Sequence, residues 1–357
     1  MSPPLLEPLQ LGSLKLRNRI VMAPMTRSRA GADDAPGPLS VHYYAARAEA
    51  GLIVTEGTQP SIHGKGYCRT PGMHSEAQIS AWRAVTRAVH ARGGLIVLQL
   101  MHCGRISSRH NKHQAARTVA PSALPARGQM FTDAHGYVDF DVPEALTGAE
   151  VMQVIAEYAA AARAAQRAGF DGIELHAASG YLPMQFLSSG TNLRSDAWGG
   201  NLSGRLRFTV ETLEALCGVW GSGRVGLRIC PGNPFNDLED AHPDETYRAL
   251  LAALRPLPLA YLHVIRSPRP DLDAFALARR AFAGALILND GFDYQTGNAA
   301  LAAGHGEAVS YARAFIANPD LVSRFRHGLP LDKFDRKTLY TPGAEGYTSY
   351  TRYAAAR

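Results

Sequence analysis

Eight short apolar runs recur along the chain: RIVMAP (19–24), GLIVTEG (51–57), GLIVLQL (94–100), DGIEL (171–175), RVGLRI (224–229), AYLHVI (260–265), GALILN (284–289) and EAVSYA (307–312). Runs this short and this rich in Val, Ile and Leu suit strands buried on both faces, as parallel strands are. Stretches of helical period lie between several of them. EAQISAWRAVTRAVHARGG follows the second run, and AEVMQVIAEYAAAARAAQRAGF precedes the fourth. The latter is Ala-rich, with Thr147 placed as an N-cap and Gly169 as its closing residue. Eight β-then-α units predict an α/β fold of the (β/α)8 TIM-barrel type, with a doubly wound open sheet as the alternative.

One connection breaks the rhythm. Residues 101–146 are too long for a plain strand-to-helix loop and hold Pro121, Pro125, Gly128, Gly136 and Pro143. Within them GYVDF reads as half of a hairpin, so the segment is expected to be a lid-like insertion after the third strand. With no internal repeat and no low-complexity linker, residues 1–357 read as a single domain. Residues 337–357, with GYTSYTRY, form a C-terminal tail that packs on its own barrel or on a neighbour.

Composition narrows the function classes. The net charge of +6 is mild and the arginines are dispersed. That argues against nucleic acid and suits a site for phosphate-bearing small molecules. Cys68, Cys103, Cys217 and Cys230 form neither a C-x-x-C pair nor a zinc spacing, so free thiols and no metal are expected. MSPPLLEPLQLGSLKL has no signal-peptide pattern and no apolar run reaches membrane-spanning length. A cytoplasmic protein, monomer or homodimer, with no membrane partner is the expectation.

In a barrel the chemistry sits where strands end at their C-terminal side. Two such positions stand out on residue type. Gln99 lies within an apolar strand, where an unpaired amide costs a few kcal/mol, so it must have a partner. Arg228, inside VGLRIC, repeats the argument with a charge, which an anion or an electron-rich ring system satisfies. After the fourth run, HAASGYLPMQF crowds His176, Ser179 and Tyr181 into six positions.

Together these segments resemble the Old Yellow Enzyme family of FMN-dependent ene-reductases, nearly end to end. MAPMTRSRA (22–30), GLIVTEGTQPSIHGKGY (51–67) and GLIVLQLMHCGR (94–105) are similar to its first three strands and loops. HAASGYLPMQFLSSGTNLRSDAWGGNLSGR (176–205) resembles its longest signature, and VGLRICPGNPFND, YLHVI, ARAFIANPDL and GAEGYTSY follow in order. The resemblance implies a non-covalent FMN at the barrel mouth, reduced by NADPH or NADH. Ala23, Pro24 and Met25 would back the flavin ring, and Thr26, which places the chain with the Thr-bearing relatives, would donate to O4 or N5. Gly57 and Gln99 would meet the pyrimidine edge, Gln99 with both ends of its amide. Arg228 would sit by N1 and O2. Gly291, Ala312 and Arg313 would hold the phosphate, with the Asp290 side chain turned to solvent.

The implied reaction reduces the C=C bond of activated alkenes: α,β-unsaturated carbonyl or nitro compounds. His176 and residue 179 would bind the carbonyl oxygen, and Tyr181 would deliver the proton. Two residues depart from the family. Ser179 stands where relatives carry Asn or His, and Met101 stands where many carry Trp. Tyr67 and Tyr340 match pocket-lining tyrosines. The departures leave open a same-fold flavoprotein with redox-neutral isomerase chemistry, or one with an altered substrate.

Overall fold

In the computed structural model, which describes residues 3–353, the eight runs form eight parallel strands. They are β1 (Ile20–Met22), β2 (Leu52–Val54), β3 (Ile96–Leu100), β4 (Gly172–Ala177), β5 (Val225–Ile229), β6 (Tyr261–Ile265), β7 (Leu286–Asn289) and β8 (Ala308–Tyr311). β8 pairs back onto β1, Val309 opposite Ile20 and Tyr311 opposite Met22. That pairing closes the barrel and excludes the open sheet. Period-2 alternation sorts every strand into two faces. Leu98, Leu175, Leu227, Leu262 and Leu288 belong to the large core shared with the outer helices. Val97, Tyr261, Ile287 and Ala308 point the other way, into the barrel.

The barrel interior changes character with height. Its base is apolar: those inward residues, with Val21, Leu52 and Val54, pack onto an N-terminal hairpin, Leu9–Leu11 against Leu14–Leu16. Two residues further along the same strands the inward positions are polar: Gln99, Glu174, His263 and Ser310, each 2% exposed or less. Above them the mouth opens with Met101, His176 and Arg228.

The two foreseen helices run Glu76–His90 and Gly148–Arg167. Each begins with a capping box, Ser75 with Gln78 and Thr147 with Glu150, so two orphan amides are satisfied at each start. Gly169, at φ +82, lies one residue beyond the C-cap Ala168, where the left-handed turn ending a helix favours glycine. The long insertion contains an antiparallel hairpin, Gln129–Thr132 with Gly136–Asp139, so GYVDF does supply one arm. In the tail, Tyr347 is fully buried and stacks on Tyr43 at 4.1 Å, packing the segment on its own barrel. The tail's last four residues lie outside the described ones. Among the described residues no helix is long and apolar enough to cross a membrane.

Candidate active site

A cavity of about 1070 Å³ occupies the C-terminal mouth of the barrel, at the upper end of the usual 300–1,000 Å³ range for one bound molecule. Pro24, Met25, Thr26, Gly57, Gln99, Met101, His176, Ser179, Tyr181, Arg228, Ala312 and Arg313 line it, with Tyr67 and the exposed Tyr340 towards the rim. Two of the expected residues are not on its wall. Ala23 is fully buried below it, its N–H donating to Tyr311 O at 3.1 Å. Gly291, at φ +78, lies to the side against Arg266.

Arg228 dominates the floor. Its Nη2 donates to Asn289 Oδ1 at 2.7 Å, while Nε and Nη1 are buried without a partner. Burial depresses its pKa, yet a guanidinium remains charged at neutral pH. Two unsatisfied donors of a buried cation call for acceptors from a flat, electron-rich group. The carbonyl and ring nitrogen of a flavin pyrimidine fit that demand. Gln99 fits it too. One amide N–H donates to Glu174 Oε1 at 2.8 Å, leaving the second N–H and the carbonyl oxygen for a ligand.

The adjoining wall carries the titratable groups. His176 belongs to β4 itself rather than to the following turn, and sits opposite Arg228 in register. Burial first, then the charge of Arg228, holds its pKa far below the usual value, so the imidazole is neutral. Its Nδ1 is buried and unpartnered. Tyr181, the N-cap of helix Leu182–Leu187, packs edge-on to His176 at 4.9 Å between ring centroids. Its hydroxyl lies 3.0 Å from that of Tyr67. Burial raises the phenol pKa well above its ordinary value, which keeps the proton on Tyr181.

Ser179 occupies the turn between these two, at φ +57. Its N–H donates to Cys230 Sγ at 2.9 Å, and that of Gly180 to Met184 Sδ at 3.3 Å. Burial pushes the Cys230 thiol up to about 12, so the sulfur acts as a neutral acceptor. Asn236 Nδ2 donates to Ser179 O at 2.7 Å from the loop after β5. The turn is therefore held from both sides by contacts that do not involve the serine hydroxyl.

The Asp290 carboxylate is turned to solvent, and there Arg313 Nη2 donates to its Oδ1 at 3.2 Å. Other features had not been singled out from the sequence: Asn289 and Glu174 as partners of Arg228 and Gln99, and an aromatic rim of Phe131, Tyr137 and Phe235. Asn289 and Glu174 carried the same signal as Gln99, a polar side chain inside an apolar strand.

The model of the NADH:flavin oxidoreductase / NADH oxidase family matches residues 4–332. The chain belongs to that family. It is 38% identical to a probable flavin mononucleotide-dependent alkene reductase of Leishmania infantum, over 97% of this chain and 96% of the relative. Among solved structures it is similar to morphinone reductase in complex with tetrahydroNAD (41% identity, TM-score 0.93, 98% of each chain). It is also similar to the old yellow enzyme homologue from Zymomonas mobilis (37% identity, TM-score 0.94, covering 98% and 99%). The likeness to Old Yellow Enzymes read from the sequence therefore holds along the whole chain. The protein is an FMN-dependent oxidoreductase of the alkene-reductase type.

Proposed function

We propose that this protein uses NAD(P)H to reduce the C=C bond of α,β-unsaturated carbonyl or nitro compounds at the barrel mouth. One observation carries the reading. A neutral imidazole and a protonated phenol lie side by side on one wall of a cavity whose floor holds a buried cation with two free donors. FMN, when bound, supplies hydride acceptance and delivery at N5. The rest is the work of the side chains.

Arg228 and Gln99 hold the pyrimidine edge, with Gly57 leaving the approach open; Ala23, Pro24 and Met25 support the ring, and Thr26 donates to it. Ala312 and Arg313 would hold the phosphate with Gly291 beside them, the Arg313 guanidinium keeping free donors besides its one bond to Asp290. His176, being neutral, donates a hydrogen bond to the substrate oxygen without transferring a proton. That withdraws charge from the alkene and stabilises the developing enolate. Ser179 is the second donor, reaching the same oxygen directly or through a water. Tyr181 gives its proton to the α carbon, and Tyr67, hydrogen-bonded to it, orients the phenol. Met101 and Tyr340 shape the substrate end of the cavity. The related morphinone reductase is solved in complex with tetrahydroNAD, which supports a nicotinamide dinucleotide as the reductant here. Three buried, unpaired thiols suit a reducing cytoplasm.

The test is direct. The purified yellow protein is reduced anaerobically with NADPH, then with NADH, and mixed with a panel of enones, maleimides and nitroalkenes. Bleaching followed by recovery of colour with one of these acceptors is expected. Bleaching that reverses only with air would move the reading to redox-neutral isomerase chemistry.

A further inference from the structure

Beneath the mouth lies a buried polar chain of which the proposed reaction uses only the first member, Gln99. Gln99 Nε2 donates to Glu174 Oε1 at 2.8 Å; Glu174 Oε2 lies 2.9 Å from His263 Nδ1; and His263 Nε2 lies 2.7 Å from Ser310 Oγ. Glu174 and His263 are fully buried, and Ser310 is 2% exposed. No solvent reaches this layer, so it is not a hydrolytic triad despite its residue types.

The direction of these bonds is fixed by what each group can do. A carboxylate only accepts. Gln99 must therefore turn its nitrogen towards Glu174 and its oxygen away from it, and His263 must carry its proton on Nδ1. The Ser310 hydroxyl is then free to donate to Nε2. Burial and the Arg228 charge keep His263 neutral, and the contacts to His263, Arg228 and Gln99 keep Glu174 ionised. Among the described residues Arg228, on the adjoining strand, makes no ion pair with a carboxylate, and its hydrogen-bond partner is the neutral amide of Asn289. Glu174 pairs in register with Gly226, two residues below Arg228. It is the buried carboxylate set beneath that guanidinium.

We propose that Glu174 is a positioning residue of the flavin site. It holds the Gln99 amide in a single orientation towards the pyrimidine edge, and its charge offsets Arg228 and so sets the balance between oxidised and reduced FMN. This rests on the placement of Gln99 and Arg228 at that edge.

Glu174→Gln keeps the shape and removes both effects. Its amide can accept or donate, so Gln99 is no longer held one way, and the floor gains a net positive charge. Across two strand spacings of about 4.8 Å each, at an effective dielectric constant of about 20, the charge change favours reduced FMN by more than tenfold. For a two-electron couple tenfold corresponds to about 30 mV, towards positive potential. Loss of orientation weakens oxidised FMN by several-fold.

The measurements are the FMN dissociation constant of reconstituted apoprotein and the midpoint potential of the holoenzyme, for wild type, Glu174→Gln, Gln99→Leu and the double variant. The expected result is a positive shift of potential in both backgrounds, with the affinity loss of Glu174→Gln absent once Gln99 is gone. An unchanged potential, or an affinity loss of equal size with and without Gln99, would overturn the proposal in favour of plain packing. Should Glu174→Gln not fold, Glu174→Asp serves: the charge stays while its reach shortens. Weaker FMN binding at an unchanged potential is then expected, and a shifted potential at unchanged affinity overturns the assignment. A wild-type chain that binds FMN while Arg228→Met and Gln99→Leu bind it equally well would strike the placement of those two residues, and with it the role of Glu174 that rests on it.

Discussion

The serine at position 179 can be tested on two independent scales. Its backbone lies in the left-handed region, φ +57, which costs an ordinary L-residue roughly 1–2 kcal/mol. Asn and His, the residues that the Old Yellow Enzyme family carries there, are among the few non-glycine types enriched in that conformation. Ser179→Asn should therefore relieve strain worth a few tenths to about 1 kcal/mol, a rise of roughly half a degree to one and a half degrees in melting temperature. The turn itself should not move, because its two N–H groups are held by Cys230 and Met184 and its carbonyl by Asn236.

The catalytic effect then reports the side chain alone. A longer amide or imidazole beside the neutral His176 supplies a direct second donor to the substrate oxygen. One preorganised donor of that kind is worth about 10²–10³ in rate at full effect. With a water-bridged serine already supplying part of it, a gain of about 10- to 100-fold in kcat/KM is expected on cyclohexenone, for Asn and for His alike. The assay is steady-state NADPH consumption under nitrogen, with flavin content matched between proteins and melting curves recorded in parallel. Rates that stay flat or fall in both variants, at wild-type flavin content, would refute the placement of Ser179 on the carbonyl.

Tyr181→Phe should leave reduction of the flavin by NAD(P)H within a few-fold of wild type while slowing alkene reduction by about 10²-fold or more, the usual worth of a general acid. Stopped-flow traces of the two half-reactions separate them, and an equal loss in both would remove the proton-donor role. Arg228→Met deletes the charge-assisted bonds on the floor, each worth about 1.5–3 kcal/mol, so FMN should bind at least tenfold more weakly in a fluorescence titration. Unchanged affinity would refute the assignment. Glu56, buried beside Tyr44 and the Arg27 amide, is pushed up to about 7, chiefly by burial, from an ordinary 4.5. The folded chain then holds a proton that the unfolded chain loses. This contribution is intact below pH 4.5 and is lost as pH rises through 7, by about 3 kcal/mol at most. Glu56→Gln should gain on wild type by that amount across the same window in urea titrations, and a difference independent of pH would refute the shift.

The strands and their order were legible because each is a short, mostly apolar run bounded by turn residues, a pattern that burial on both faces imposes. The hairpin arm at Gly136–Asp139 and the caps of both long helices were legible for similarly local reasons. What stayed hidden depends on contacts between distant positions. Cys230 reads in sequence as an inert buried thiol, yet it supports the Ser179 amide from 51 positions away. The aromatic rim joins Phe131 and Tyr137 of the insertion to Phe235 of the loop after β5, and nothing local marks those residues as neighbours. The contact of the solvent-facing Asp290 with Arg313 was hidden as well, because it depends on how two strand ends are juxtaposed.

Glu174 lies between these cases. It stands in GIELHA two residues before His176, and both face the barrel interior because side chains on a strand alternate. Position along a strand is therefore depth in the barrel. Val97, Gln99 and Met101 step from apolar base through polar layer to open mouth, and Tyr261 and His263 repeat the first step. A slip of one residue in β4 would turn Leu175 inward and bury Glu174 and His176 against the helices, removing the floor and the wall of the site together. The polar residues thus constrain the register from within, since each has a partner only at its own height. A carboxylate at the middle height is intolerable unless it is paired, and here its partners are the amide that meets the ligand and the imidazole below the cation. Such a residue in an apolar strand marks the layer under a barrel's active site as firmly as His176 marks the site itself.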